Sequence, residues 1–97
     1  MPAYFVARFV IKDAAALAAY SKKAGPIIAS FGGELLFKGG AEQVLTGEVA
    51  FPNIAVFQFP DQKKLDAFYA SDAYRALKAA REAGADMVLS AHGGKPR

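Results

Sequence analysis

The sequence predicts an α+β fold in the order β-α-β-β-α-β, with helices on one face of a four-stranded antiparallel sheet. Three observations predict it. Four segments rich in β-branched and aromatic residues alternate with a period of two. Two longer segments repeat apolar residues every three or four positions. Glycine, proline and aspartate fall at the joints between them.

Ala3 to Ile11 is the first strand. Phe5, Ala7, Phe9 and Ile11 point to one face, and Tyr4, Val6, Arg8 and Val10 to the other. Both faces are largely apolar, so neither is simply wetted. Asp13 then offers an N-cap oxygen to a helix that starts in the alanine run. Leu17, Tyr20, Ala24, Ile27, Ile28 and Phe31 form its apolar stripe. Gly25-Pro26 lies inside that stripe, and a proline lacks the amide a helix needs, which predicts a kink or a restart there. Gly32-Gly33 ends the helix, because glycine enters the left-handed cap conformation without strain.

Glu34 to Lys38 is the second strand. Gly39-Gly40 predicts a bulge or sharp bend, with Ala41 to Leu45 continuing the ribbon and Thr46 to Asn53 forming a loop. Ile54 to Phe59 is the third strand, closed by Pro60-Asp61. Asp61 caps a second helical stretch with Leu65, Phe68 and Tyr69 turned inward. Ser71-Asp72 restarts it, and Tyr74, Leu77 and Ala80 continue toward Gly84. Asp86 to His92 is the fourth strand. A single domain over 1–92 and a flexible tail over 93–97 complete the division.

This order is the ferredoxin-like split motif. Right-handed crossovers place both helical stretches on one face of the sheet. The other face carries Tyr4, Val6 and Val10 and, by parity, Ile54 and Val56. Exposing an apolar face costs about 25 cal/mol per Å². Pairing with an identical sheet is the expected remedy: a homodimer in which two sheets make a dimeric α/β barrel.

Several runs carry a family likeness. They are Phe31-Gly32-Gly33-Glu34-Leu35-Leu36-Phe37-Lys38-Gly39-Gly40, Leu45-Thr46-Gly47, Phe57-Gln58-Phe59-Pro60 and Phe68-Tyr69-Ala70-Ser71-Asp72-Ala73-Tyr74. In order and spacing the chain resembles the DUF1330 family from the first strand to the fourth. The resemblance implies a small cytoplasmic protein that forms a dimeric α/β barrel, and it implies no catalytic role. Lys38 stands where that pattern often has arginine, and Gln58 where it often has glutamate.

At 97 residues, 54% of them hydrophobic, the chain holds one core. It has no cysteine, which removes thiolate nucleophiles and thiolate metal sites. The formal charge of +3 is spread over pairs such as Lys22-Lys23 and Lys63-Lys64 and is interrupted by Asp61, Asp66, Asp72 and Glu82. Solvated helix faces fit that pattern better than a phosphate-binding stripe. No apolar run approaches the roughly 20 residues of a membrane span. The start, Met1-Pro2-Ala3-Tyr4, lacks a basic n-region, so a cytoplasmic location is expected.

Specific chemistry is sparse. Gly32-Gly33 and Gly39-Gly40 do not lead into a helix N-terminus, so they serve backbone geometry rather than phosphate. His92 is the only histidine, and neither a metal site nor a cofactor is expected. Ser90 lies near it on one strand face, but without a nucleophile-elbow pattern and without an expected dyad. Strand parity instead groups Arg8, Lys38, Gln58 and His92 on the uncovered face, with Tyr4 and Val6 as apolar wall. Such polar points on apolar walls are how ligand pockets are built. Arg8 requires an anion if buried, either a ligand or a carboxylate such as Glu34 or Glu42; the other place for it is the barrel rim, in water.

A barrel binding a small anionic or enol-type organic molecule is the function this pattern favours. A cofactor-free monooxygenase- or isomerase-like enzyme acting on an aromatic metabolite is the alternative. An RNA-binding module ranks last, since Phe57 and Phe59 alternate away from Ile54 and Val56 and the strand lacks the RNA-recognition signature.

Overall fold

Nine alternating residues, Ala3–Ile11, form the inner strand β1 of a four-stranded sheet with the order β2-β3-β1-β4. The structure, a computed structural model, describes residues 1–93. The other strands are β2 (Glu34–Gly40), β3 (Asn53–Phe59) and β4 (Ala85–Gly93), and every neighbouring pair is antiparallel. Gly93 thus belongs to β4; the rest of the expected tail, 94–97, lies outside the described residues. Four helical segments occur: α1 (Ala14–Ser30), α2 (Gln62–Ala70), α3 (Asp72–Arg75) and α4 (Lys78–Gly84). The architecture is the ferredoxin-like α+β fold. Among the described residues no helix is long and apolar enough to cross a membrane.

Caps set the helix starts. The Asp13 carboxylate accepts from the Ala16 amide at 3.0 Å, and that of Asp61 accepts from the Lys64 amide at 2.8 Å. The Ser71 hydroxyl accepts from the Tyr74 amide at 3.2 Å, which separates α2 from α3 as the Ser71-Asp72 pair suggests. A further break at Ala76-Leu77, with no sequence signal, separates α3 from α4.

The restart expected at Gly25-Pro26 does not occur. α1 runs unbroken for 17 residues through Pro26. Lys22, Gly25 and Pro26 are all exposed, so the carbonyl that loses its partner faces water and the helix survives. Gly32, at φ +85°, then ends it with amide bonds from Gly32 to Ala29 and from Gly33 to Ile28, each 2.9 Å. A methyl group at Gly33 would collide with the Ile28 side chain.

The core lies between the helices and one sheet face. Phe5, Phe59, Tyr20, Phe68 and Tyr74 fill it, with Phe59 and Phe68 fully inaccessible. The Phe68 and Tyr74 rings meet at 4.5 Å between centroids, and Phe5 stands edge-on to Phe68 at 5.3 Å. Phe59 and Phe57 are therefore helix-side residues, as the alternation requires.

The second strand differs from expectation. The bulge falls at Leu36, between the pairs Leu35–Phe57 and Phe37–Val56, and not at Gly39-Gly40. Residues 41–52 form no further strand; the Ala41 amide bonds the Pro52 carbonyl at 2.8 Å and closes the connection.

Candidate functional site

The register sorts the predicted residues onto two faces. Across the uncovered face His92 pairs with Tyr4, Tyr4 with Gln58, and Gln58 with Glu34. This row runs through all four strands. The next row is Ser90, Val6, Val56 and Phe37, and the one after it begins Val88, Arg8, Ile54. Tyr4, Val6, Gln58, His92 and Arg8 thus share a face.

They do not share a pocket in one chain. Arg8 stands four residues from Tyr4, about 13 Å along the strand, too far to meet His92 or Glu34 directly. Arg8 is exposed and makes no ion pair; among the described residues the single one joins Lys12 to Asp86 at 3.4 Å. The expected partnership with Glu34 or Glu42 is absent within the chain. Ser90 and His92 do bond, Oγ to Nε2 at 2.8 Å, which corrects the expectation that strand neighbours two apart would stay unlinked. No carboxylate completes that pair among the described residues.

Lys38 is on the other side. The extra residue at Leu36 shifts the alternation by one, so Lys38 opposes Ala55, and Ala55 opposes Ala7, on the helix face. Lys38 is therefore separated by the sheet itself from Arg8, Gln58 and His92.

What Lys38 lines instead is a cleft of about 390 Å³ between α1 and the sheet. Phe5, Ala7, Ala55 and Phe57 form its floor, and Leu17, Tyr20, Ser21 and Ala24 its roof. A more open hollow, holding Lys22 and Asn53, adjoins it and shares Phe9, Leu17, Ser21 and Lys38 with it. The cleft exists because Ala7, Ala55, Ala24 and Gly25 face one another with too little volume to fill the gap. Those small residues, adjacent in α1 (Ala24-Gly25) and paired across β1 and β3 (Ala7 with Ala55), are the signal by which the sequence could have shown a cleft that strand parity alone missed.

Behind Tyr20 lies the most perturbed group of the molecule. The Tyr20 and Tyr74 hydroxyls are 2.7 Å apart, both residues are buried, and Arg81 Nη1 donates to the Tyr74 hydroxyl at 3.1 Å. The Arg81 guanidinium also lies 5.6 Å from the Tyr74 ring centre. Burial, with Tyr74 beside it, pushes the Tyr20 phenol far above its ordinary value. Burial works against the Arg81 charge, but the bond to Tyr74 and the neighbouring phenols outweigh it and hold that charge more firmly than usual.

Solved structures share this frame. A protein of unknown function from Rhodopseudomonas palustris superposes with a TM-score of 0.80 at 21% identity, over 98% of this chain and 84% of that one. SnoaB, a cofactor-independent oxygenase from Streptomyces nogalater, does so with 0.70 at 12% identity, over 99% and 95%. A dabb family protein with a ferredoxin-like fold from Mesorhizobium loti gives 0.64 at 11% identity, over 98% of each chain. At these identities the likeness is one of fold. Among curated proteins none matches the chain. The model of a domain of unknown function, DUF1330, matches residues 2–94, and the chain belongs to that family.

Proposed function

We propose that the chain binds a small, largely apolar and planar organic molecule carrying an anionic or enol oxygen, and that its site is the helix-side cleft. The observation that carries this reading is Lys38 at the mouth of a cavity whose other walls are mostly apolar. A volume of about 390 Å³ lies in the range of small-molecule sites, and one cation among hydrocarbon walls selects for charge at one end of a ligand. Fluorene sulfonate, flat and anionic, is a suitable probe. It should bind saturably, and Lys38→Glu should weaken it by about tenfold or more, the scale of a charged contact. Ala24→Trp should abolish binding by filling the cleft. Failure of the probe to saturate would sink the reading.

The uncovered sheet face supports a homodimer. Phe37 is 55% exposed and Val88 44%, beside half-buried Val56, Ile54 and Val10. A second copy would cover them and would enclose Tyr4, Val6, Gln58 and His92, with Glu34 on the same face as the carboxylate within a partner's reach of Arg8. A cofactor-free oxygenase reading rests on the frame shared with SnoaB and on the same cleft. Oxygen uptake with a dihydroxynaphthalene tests it, and no uptake above the protein-free rate would refute it.

A further inference from the structure

We infer that Arg81, Tyr74 and Tyr20 form a directed chain of hydrogen bonds whose last member donates a proton-bearing hydroxyl to a carbonyl or enolate oxygen of a ligand in the cleft. The inference rests on the cleft being the binding site and adds the chemical class of its ligand: a planar aromatic ketone or its enolate.

Chemistry fixes the direction at one end. A guanidinium only donates, so the Tyr74 oxygen accepts from Arg81 Nη1 at 3.1 Å. The two phenols share one proton between them across 2.7 Å, which leaves one more hydroxyl proton to place. When Tyr74 donates to Tyr20, each phenol accepts one bond and donates one, and the spare proton sits on Tyr20. Tyr20 is the member that lines the cleft. Arg81 lines a separate, more polar hollow beside α4 and β4, which has only Met87 and Leu89 in common with the apolar cavity, so the positive end of the chain lies outside the cleft.

The arrangement suits an oxygen that carries partial or full negative charge. Bonds aligned head to tail polarise one another, and the buried setting strengthens each. Tyr20 keeps its proton because burial holds it neutral, so it donates over the whole ordinary pH range. Tyr74 and Arg81 are positioning residues, since they act only through Tyr20. A purely structural network would stabilise the fold and leave ligand choice unchanged.

Two probes of the same skeleton separate these cases. Fluorenone sulfonate carries a carbonyl where fluorene sulfonate carries a methylene. With the full chain, the ketone should bind about five- to tenfold more tightly, the range of one neutral hydrogen bond. Its carbonyl stretch should move to lower frequency on binding. Tyr20→Phe should erase both the preference, read as the ratio of the two affinities within the one variant, and the spectral shift, and a cooperative thermal melt shows that the variant folds. Arg81→Met should reduce the preference and the shift in part, because Tyr20 keeps its hydroxyl but loses polarisation. Equal affinity for the two probes, or an unchanged preference in Tyr20→Phe, would overturn the inference with the cleft intact. Failure of fluorene sulfonate itself to bind would instead remove the cleft reading, and this inference with it.

Discussion

Lys38 opposes Ala55 on the face that the helices cover, although alternation from Glu34 would put it on the opposite face, the one that carries Gln58, against Ile54. One unpaired residue, Leu36, makes the difference. Because strand side chains alternate with a period of two, a single insertion transfers every later side chain to the other side. The cation is thereby moved from the uncovered face to the mouth of the cleft.

Deleting Leu36 should leave Lys38 where it is, because the deletion removes only the unpaired residue: Phe37 still opposes Val56 and Lys38 still opposes Ala55. Fluorene sulfonate affinity should stay near that of the wild-type chain, and Lys38→Ala added to the deletion should weaken it by about tenfold. Equilibrium titration of both variants checks this, and a deletion variant indifferent to Lys38 would refute the register argument.

The dimer expectation concerns Val6 and Val56, which oppose each other at the middle of the uncovered face. The wild-type chain should sediment as a dimer at micromolar concentration. Val56→Asp should give a folded monomer, because a buried unpaired carboxylate costs several kcal/mol at an interface and little in water. A wild-type chain that sediments as a monomer would defeat the expectation.

Gly84 and Gly25 make a matched pair of opposite sign. A methyl group at Gly84 would stand 2.6 Å from the Leu17 amide nitrogen, where α4 crosses α1, and the Gly84 carbonyl accepts from the Lys12 and Asp13 amides. Gly84→Ala should destabilise by about 1–3 kcal/mol, as overpacking against rigid backbone does. At Gly25 nothing lies within 4 Å of the added carbon, so Gly25→Ala should gain about 0.5–1 kcal/mol of helix propensity. Urea denaturation reads both.

Tyr20 predicts a weakness at alkaline pH. Below about pH 10 the folded and unfolded chains both hold its proton. Above that, the unfolded chain releases it while burial keeps it in the folded one. Stability should fall with rising pH from that point, by up to about 1.4 kcal/mol per pH unit for this group. In Tyr20→Phe the fall should be smaller by that amount. Identical alkaline slopes in the two proteins would contradict the burial argument.

The sequence by itself determined the element order, the caps at Asp13, Asp61 and Ser71, the glycine stop of α1 and the facing of β1 and β3. These depend on local rules: a cap oxygen three residues from its amide, a period of two, a period of three to four. It also carried the family likeness that the matched model bears out over residues 2–94. Tertiary structure decided the rest. Whether Pro26 breaks α1 depends on the surroundings of the orphaned carbonyl, and Lys22, Gly25 and Pro26 all lie in an exposed part of the helix. Whether Ser90 meets His92 depends on side-chain rotamers that alternation does not set. The bulge sits at Leu36, with no glycine, because β2 is an edge strand held from one side only and its pairing is settled against β3. The Tyr20–Tyr74–Arg81 chain draws on three helices, and its link from Tyr20 to Tyr74 spans 54 positions, which no local period can foresee. Local chemistry writes the elements; what they bring face to face is fixed only when side chains of α1, α3 and α4 close over the same sheet.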